Sequence, residues 1–353
     1  MMKWIPSELH THTFHSDGSH SLLELAQSAA RLGLDCIALT DHNTQSGLTG
    51  AEQVERQTGI RIVPGMEWTT FYGHMLTLGV KEFVDWRVLG PEDIHKGIQL
   101  VHEQGGIAGL AHPYRIGSPI CTGCFWEYNI LDWNDVDFIE VWSTLMPSVK
   151  RDSQRAFALW TDLLNRGYRI TATSGRDWHG SKPEDPLPAV TYIGVEEADG
   201  APLQVQIIEA LRRGRAAVTM GPLLTLSIKT AGDEREYAMG ECVQWDDEPD
   251  PMVMEFTVNV DMDVRREFYE LQGDRLRLVL RSGSGVCSEI QIPAETAVYS
   301  FTIQAEAASQ WVRAELFGCL GNAVTLVAFT NPVYIQTPAV QAAAVRSGGR
   351  CEF

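Results

Sequence analysis

No apolar run among the 353 residues approaches the roughly 18 needed to cross a bilayer, and no segment reads as a secretion signal. Basic residues are scarce: 28 Lys and Arg stand against 46 Asp and Glu, a formal net charge of −18. That deficit argues against a broad electrostatic grip on a nucleic-acid polymer. Cysteine is sparse, odd in number at seven and irregularly spaced, which disfavours a disulfide scaffold. The thiols read as reduced ones, and a cytoplasmic location is the expectation. One C-x-x-C pair, Cys121 and Cys124, could bind a metal, form a disulfide or be incidental. A Gly-x-Ser-x-Gly elbow is also missing, so a serine-hydrolase nucleophile is not indicated.

What the chain does have is histidine in the company of carboxylates. Seven of its ten histidines lie where an apolar stretch runs out. The segments are Glu8-Leu9-His10-Thr11-His12, then His15 with Ser16-Asp17-Gly18, Thr40-Asp41-His42, Gly65-Met66-Glu67, Gly73-His74, Ala111-His112-Pro113 and Gly175-Arg176-Asp177-Trp178-His179. In a strand, residues i and i+2 share a face, so the imidazoles of His10 and His12 project into one space. Imidazole and carboxylate suit borderline divalent ions, and no thiolate stands in these segments. A lone histidine is ordinarily a capped or solvated residue. An ordered series of them at strand ends points instead to a multinuclear metal centre, and so to a hydrolase.

From Trp4 to about Gly221, strand and helix patterns alternate, which predicts parallel strands joined by right-handed crossovers. Ser21-Leu22-Leu23-Glu24 opens a helix with a capping box, and Gly33 ends it. The strand Asp35 to Thr40 then delivers Asp41 and His42, a helix spans Ser46 to Thr58, and the strand Arg61 to Pro64 delivers Glu67. Met75 to Gly79 reads as a strand just past His74, and a helix from Pro91 precedes the strand Ile107 to Leu110, which delivers His112. Val136 to Val141 is a further strand, Val149 to Asn165 a helix, and Arg169 to Thr173 the strand that delivers Asp177 and His179. Ligands gathered at the ends of successive parallel strands predict a (β/α) barrel of about seven strands over residues 1–222.

After Gly221-Pro222, short alternating apolar runs from Leu224 to Phe329 predict an antiparallel, immunoglobulin-like β-sandwich over residues 223–335, without that fold's usual disulfide. Between Leu224 and Ile335 stand 18 acidic and 8 basic residues, a net of −10, so this unit carries more than half of the acidity. It is expected to pack against the barrel or against a partner subunit in a homo-oligomer. Residues 336–353 have no period and are expected to form a mobile tail.

The histidine and carboxylate series, in order and spacing, resembles the PHP (polymerase and histidinol phosphatase) superfamily of metal-dependent phosphoesterases over the first 220 residues. Gly214-Arg215-Ala216-Ala217-Val218-Thr219-Met220-Gly221-Pro222-Leu223 and Phe329-Thr330-Asn331-Pro332 resemble the CehA/McbA-type branch. The resemblance implies an α/β fold with a distorted (β/α)7 barrel that binds two or three divalent ions, Zn, Mn or Fe. It implies His10 and His12 as ligands of one ion, Glu67 as a carboxylate bridging two, and His112 and Asp177 completing that pair. Asp17, His42 and His179 would hold or complete another position, with His74 as the remaining ligand; some members carry His where Asp17 stands. Asp41 is expected to orient a ligand, His15 and His20 to lie outside the pattern, and His95 and His102 to be solvated.

The implied reaction is hydrolysis of a small organic phosphate mono- or diester by a hydroxide bridging two metals, with Glu67 and Asp177 in the catalytic set. Arg115 and Arg176 are candidates for bidentate contact with phosphate oxygens, with ordinary surface ion pairs as the competing reading. The alternative reaction, at the same metals, is hydrolysis of a carboxyl or carbamate ester. After His112 comes a long connection with Tyr114, Phe125, Trp126, Tyr128 and Trp133. It is expected either to wall the substrate pocket, close to Trp68, Trp142 and Trp178, or to form a small core under a loop.

Overall fold

The computed structural model describes residues 2–117, 123–182, 185, 188–197, 200–230, 234–244, 253–304 and 310–336. Cys121 and the expected tail beyond residue 336 lie outside the described residues. No described helix is long and apolar enough to cross a membrane. The amino-terminal portion lays out β1 (Met2–Thr11), α1 (Leu22–Arg31), β2 (Cys36–Leu39), α2 (Ala51–Thr58), β3 (Arg61–Thr70), β4 (Gly73–Leu78) and α3 (Ile94–Glu103). There follow β5 (Ile107–Leu110), β6 (Phe138–Ser143), α4 (Arg151–Asn165), β7 (Thr171–Gly175), β8 (Val190–Glu196), α5 (Leu203–Arg212) and β9 (Ala216–Thr219).

Local chemistry accounts for the helix starts and stops. At α1 the Ser21 hydroxyl accepts from the Glu24 N–H, while the Glu24 carboxylate accepts from the Ser21 N–H at 2.8 Å. These two bonds satisfy donors that the first turn would otherwise leave open. The inward stripe of Leu22, Leu25, Ala26 and Ala29 is buried, and each buried Leu contributes about 1.5–3 kcal/mol relative to exposure. The helix expected over Ser46 to Thr58 is broken by Gly50, whose φ of 81° is left-handed, so that only a short turn precedes α2.

Strands β1, β2 and β3 are parallel neighbours, as are β5, β6 and β7. Between the two runs, β4 lies antiparallel to both β3 and β5. Here the expectation of uniformly parallel strands fails for a physical reason. Strand β3 does not stop at Pro64 but continues to Thr70, and only Phe71 and Tyr72 turn the chain into β4. So short a connection joins antiparallel strands, never parallel ones. The expected closed seven-stranded barrel is also not formed by a ladder among the described residues. The return from β7 to β1 is a single parallel bridge, Thr11 to Trp178, with His12 N–H donating to Trp178 at 3.0 Å and Trp178 N–H to His10 at 2.9 Å.

The remaining strands are β10 (Leu223–Thr230), β11 (Glu236–Ala238), β12 (Cys242–Gln244), β13 (Val253–Asp261), β14 (Leu271–Ser282), β15 (Gly285–Pro293), β16 (Ala297–Gln304), β17 (Trp311–Leu320), β18 (Ala323–Thr330) and β19 (Val333–Gln336). One antiparallel sheet runs β11-β10-β13-β16. Its Leu226, Phe256 and Val258 share an apolar cluster with Leu278, Leu280 and Leu316 of a second layer and with Leu25 of α1. That second layer is not separate from the amino-terminal sheet. Ala328, Phe329 and Thr330 of β18 pair with Thr219, Val218 and Ala217 of β9, so one fifteen-stranded sheet continues past Gly221-Pro222. Buried Asn331 fixes the junction: its amide donates to the carbonyls of Ala172 and Ala216 at 2.9 Å, and its Oδ1 accepts from Ala172 N–H at 2.8 Å.

Candidate metal centre

Strand alternation builds the centre. On β1, Leu9 enters an apolar cluster with Val63, Leu76 and Phe138, while Glu8 and His10 turn to the opposite side and are also buried, as is His12 just past the strand. Glu67 comes from β3 and has no exposed surface. Its Oε2 lies 3.2 Å from His10 Nε2, 3.5 Å from His12 Nε2 and 2.8 Å from His42 Nδ1. Its Oε1 lies 2.9 Å from His74 Nδ1 and 3.3 Å from His112 Nε2. One buried carboxylate thus meets five imidazoles.

Two further carboxylates extend the cluster. Asp177 Oδ1 is 3.0 Å from His12 Nε2, 3.3 Å from His10 Nε2 and 3.4 Å from His179 Nδ1. Asp17 Oδ1 is 3.0 Å from His179 Nε2 and 3.4 Å from His42 Nε2. The structure brings all nine candidate ligands together in three groups: His10, His12, Glu67 and Asp177; Glu67, His74 and His112; and His12, Asp17, His42 and His179. Within each group the ligand atoms lie within 4.8 Å of one another.

The donor set fits divalent cations. His74 Nε2 is buried without a hydrogen-bond partner, and Glu67 Oε2 and His10 Nε2 face each other at 3.2 Å without hydrogen-bond geometry. Each such orphan costs about 1–3 kcal/mol unless something satisfies it, and a cation does so. Imidazole nitrogens and carboxylate oxygens without thiolate suit borderline divalent ions. Protonation tells the same story of concentrated charge. Burial would raise the Glu67 carboxyl, but His10, His112 and His42 outweigh it and hold it well below the usual carboxylate range. Burial would likewise lower His42, yet the Asp17 and Glu67 carboxylates drive it up to about 10. His10 is also raised, by Glu67, Glu140 and Asp177 acting against its burial, whereas burial prevails at His12 and His112 and lowers both.

The backbone is strained where the centre is assembled. His112 and Asp177 adopt positive φ, 28° and 54°. Such conformations cost about 1–3 kcal/mol in non-glycine residues and persist only where the surroundings over-determine them.

Other candidates fall at varying distance from the cluster. The Asp41 carboxylate accepts from the Thr13 N–H, the Thr13 hydroxyl and the Ser16 hydroxyl, each at 2.7 Å, so it shapes the turn between His12 and Asp17 and contacts no imidazole. Arg115 donates to Asp177 and to the Ser143 hydroxyl, at the cluster itself. Arg176 is held elsewhere: its guanidinium pairs with Asp185 at 2.6 Å and lies 4.7 Å over the Trp178 ring. His102, expected to be solvated, pairs with Asp137 at 2.7 Å. A cavity of about 510 Å³ opens beside Asp177 and His179, with Ser19, Thr144, Arg176 and Lys182 among its lining.

The aromatic connection is mostly a small core. Tyr128 is buried against Tyr72 and Trp126, at ring separations of 5.4 and 5.3 Å. Trp126 lies over Gly73, where a Cβ would come within 2.6 Å of the ring. Trp68 and Trp142 are core residues. Phe125, against Tyr114 at 5.7 Å, is the exposed member, and residues 118–122 of this connection lie outside the described residues.

One buried carboxylate, Glu140, was missed in the sequence, and another, Glu8, was quoted beside His10 and His12 without a role of its own. Glu140 of β6 accepts from His10 Nδ1 at 2.7 Å. Glu8 Oε1 accepts the N–H groups of His10 and Arg176 at 3.0 and 2.9 Å, and burial pushes its carboxyl up to about 7 against those bonds. The signal available was a single charge inside an otherwise apolar strand, Phe138-Ile139-Glu140-Val141-Trp142.

Residues 8–109 match the PHP domain. A protein of Methanocaldococcus jannaschii, itself uncharacterised, is 29% identical over 176 residues, covering 44% of this chain and 97% of its own. The phosphoribosyl 1,2-cyclic phosphate 1,2-diphosphodiesterase of Eggerthella lenta is 35% identical over 81 residues, 21% of this chain. The chain spans only 31% of that enzyme's length. A two-domain protein of Bacteroides vulgatus, described as containing a predicted PHP-like metal-dependent phosphoesterase, shares the fold with a TM-score of 0.53 at 16% identity, over 94% of this chain and 96% of its own. The match of residues 8–109 to the PHP domain, together with the histidine and carboxylate clusters, indicates a hydrolytic enzyme.

Proposed function

We propose that the protein is a metal-dependent phosphoesterase of the CehA/McbA-type branch of the PHP superfamily, acting on a small organic phosphate mono- or diester. The observation that carries this reading is Glu67, a buried carboxylate ringed by five imidazoles with ligand atoms left unpaired. His10, His12, Glu67 and Asp177 would hold one ion, Glu67, His74 and His112 a second, and Asp17, His42 and His179 a third. When bound, such ions supply a water acidified toward neutral pH and neutralise charge on the phosphoryl oxygens.

The chain's own groups bind and orient the ester. Arg115 has its guanidinium within the cluster, where a fork of N–H donors suits two phosphate oxygens. Arg176, tied to Asp185 and Trp178, shapes the pocket wall instead. The adjoining cavity of about 510 Å³ matches a small-molecule substrate. In this reading residues 1–222 carry the chemistry, and residues 223–335 form a sandwich that buttresses α1.

Hydrolysis of a carboxyl or carbamate ester uses the same donors, and the exposed Phe125 beside Tyr114 is the observation on its side. Steady-state assays of Mn- and Zn-loaded protein with a phosphomonoester, a phosphodiester and an aryl carboxylate ester separate the two. Phosphoester turnover that a chelator abolishes and added metal restores is the expected result. Turnover of the aryl ester alone transfers the assignment to the second reaction.

A further inference from the structure

We propose that Glu140 is a positioning residue of the metal centre, acting through His10: it holds the proton on Nδ1 and presents Nε2 to the ion-binding space. The inference rests on the reading of this cluster as a metal centre. Glu140 stands in β6 with both faces of the strand buried, and its Oε2 lies 2.7 Å from His10 Nδ1. A carboxylate can only accept, so the shared proton belongs to Nδ1. Nε2 then faces Glu67 Oε2 at 3.2 Å and Asp177 Oδ1 at 3.3 Å, and it has no hydrogen-bond partner. With Nδ1 committed to Glu140, Nε2 is the ring nitrogen that an ion between those two carboxylate oxygens would meet. A carboxylate behind a ligating imidazole fixes both the tautomer and the ring orientation of that ligand.

Two features of the surrounding sheet accommodate this pair. The β6–β7 register shifts between Glu140 and Trp142, and irregularities of this kind re-aim side chains. On β7, Gly175 leaves the necessary space: a Cβ there would lie 2.3 Å from Glu140 Oε2 and 2.7 Å from the His10 Cβ. Glu140 is not among the residues lining the cavity beside Asp177.

The test uses the whole chain and Zn(II) or Co(II) alone. Glu140→Gln keeps the side-chain size but offers an amide that can turn either group toward Nδ1. Calorimetric titration should show metal affinity about 10–100-fold weaker, with the melting temperature of the metal-free protein close to that of the parent. The ¹⁵N resonances of His10 should report a Nδ1-protonated ring in the parent's metal complex and a changed tautomer population in the variant's, and the Co(II) visible spectrum should shift. In a His10→Ala background the substitution should have no further effect on affinity, since the two residues act as one unit.

Parental affinity and tautomer in Glu140→Gln would overturn the proposal, as would a loss that simply adds to that of His10→Ala. If Glu140→Gln fails to fold, Glu140→Asp, which keeps the charge but shortens its reach, carries the same test: weakened binding supports the role, and unchanged binding overturns it. An unsubstituted protein that binds neither ion overturns the metal-centre reading itself, and this inference with it. That failure is distinguishable because it appears before any variant is made.

Discussion

Arg115 donates its guanidinium to the carboxylate of Asp177, the group whose Oδ1 also lies 3.0 Å from His12. The two residues are 62 positions apart and meet because the ends of β5, β6 and β7 converge, with Ser143 of β6 accepting from the same guanidinium. Asp177 would share its carboxylate between Arg115 and a bound ion, and the guanidinium would offer its remaining N–H donors to substrate.

Arg115→Ala should therefore lower kcat/KM for a phosphoester by about 10–100-fold, as expected for a charge-assisted contact of about 1.5–3 kcal/mol. A neutral aryl ester should be affected much less. Arg176→Ala should behave differently, because its guanidinium supports Trp178 and Asp185. It should lower the melting temperature and slow all substrates alike. Parallel kinetics and thermal melts on both variants check the contrast; equal losses on both ester classes for Arg115→Ala would remove it from phosphate binding.

The nine ligand candidates were legible because each lies at or near the end of an apolar run, where composition changes sharply. Glu140 was not, and Glu8 was quoted without a role, because a charge in a strand does not say which imidazole or N–H group will meet it. The strand positions around His42, His112 and His179 could be read from alternation and turn residues. Strand direction at β4 could not, since it depends on β3 running on to Thr70 and leaving only Phe71 and Tyr72 for the turn. The joining of β9 to β18 is a contact between segments more than a hundred residues apart, and such pairing leaves no periodic trace in either.

Glu67→Gln removes the charge that five imidazoles share while keeping the side-chain volume. Metal content by elemental analysis should fall, and turnover should drop by a factor on the order of 10² or more. Full activity in a metal-replete variant would take Glu67 out of the site.

Metal binding should release protons. In the metal-free fold His42 is raised to about 10 and His10 is raised as well. Those protonated imidazoles stabilise the metal-free fold fully below the unfolded histidine value, and that contribution is lost as pH rises through the folded value. A cation must displace such protons, so affinity should increase with pH between about 6 and 8, by about tenfold per unit for each proton displaced. Calorimetric titrations in buffers of different ionisation enthalpy count the protons. A pH-independent affinity with no buffer dependence would contradict the protonation pattern.

Trp126→Ala tests the aromatic connection. Because Trp126 covers Gly73 and packs on Tyr128, truncation should cost about 2 kcal/mol of stability and reduce activity equally for aryl and alkyl phosphates. A selective loss on the aryl substrate, with the melting temperature unchanged, would make it a specificity wall after all.

We propose that the histidine and carboxylate clusters form a multinuclear centre for phosphoester hydrolysis. Its most direct test titrates chelator-stripped protein with Mn(II) while following hydrolysis of p-nitrophenyl phosphate and bis(p-nitrophenyl) phosphate. Turnover of at least one of them should appear only as a second equivalent of metal binds. Tight binding of two or more ions with no release of p-nitrophenol from either substrate, or full turnover in the stripped protein, would contradict it.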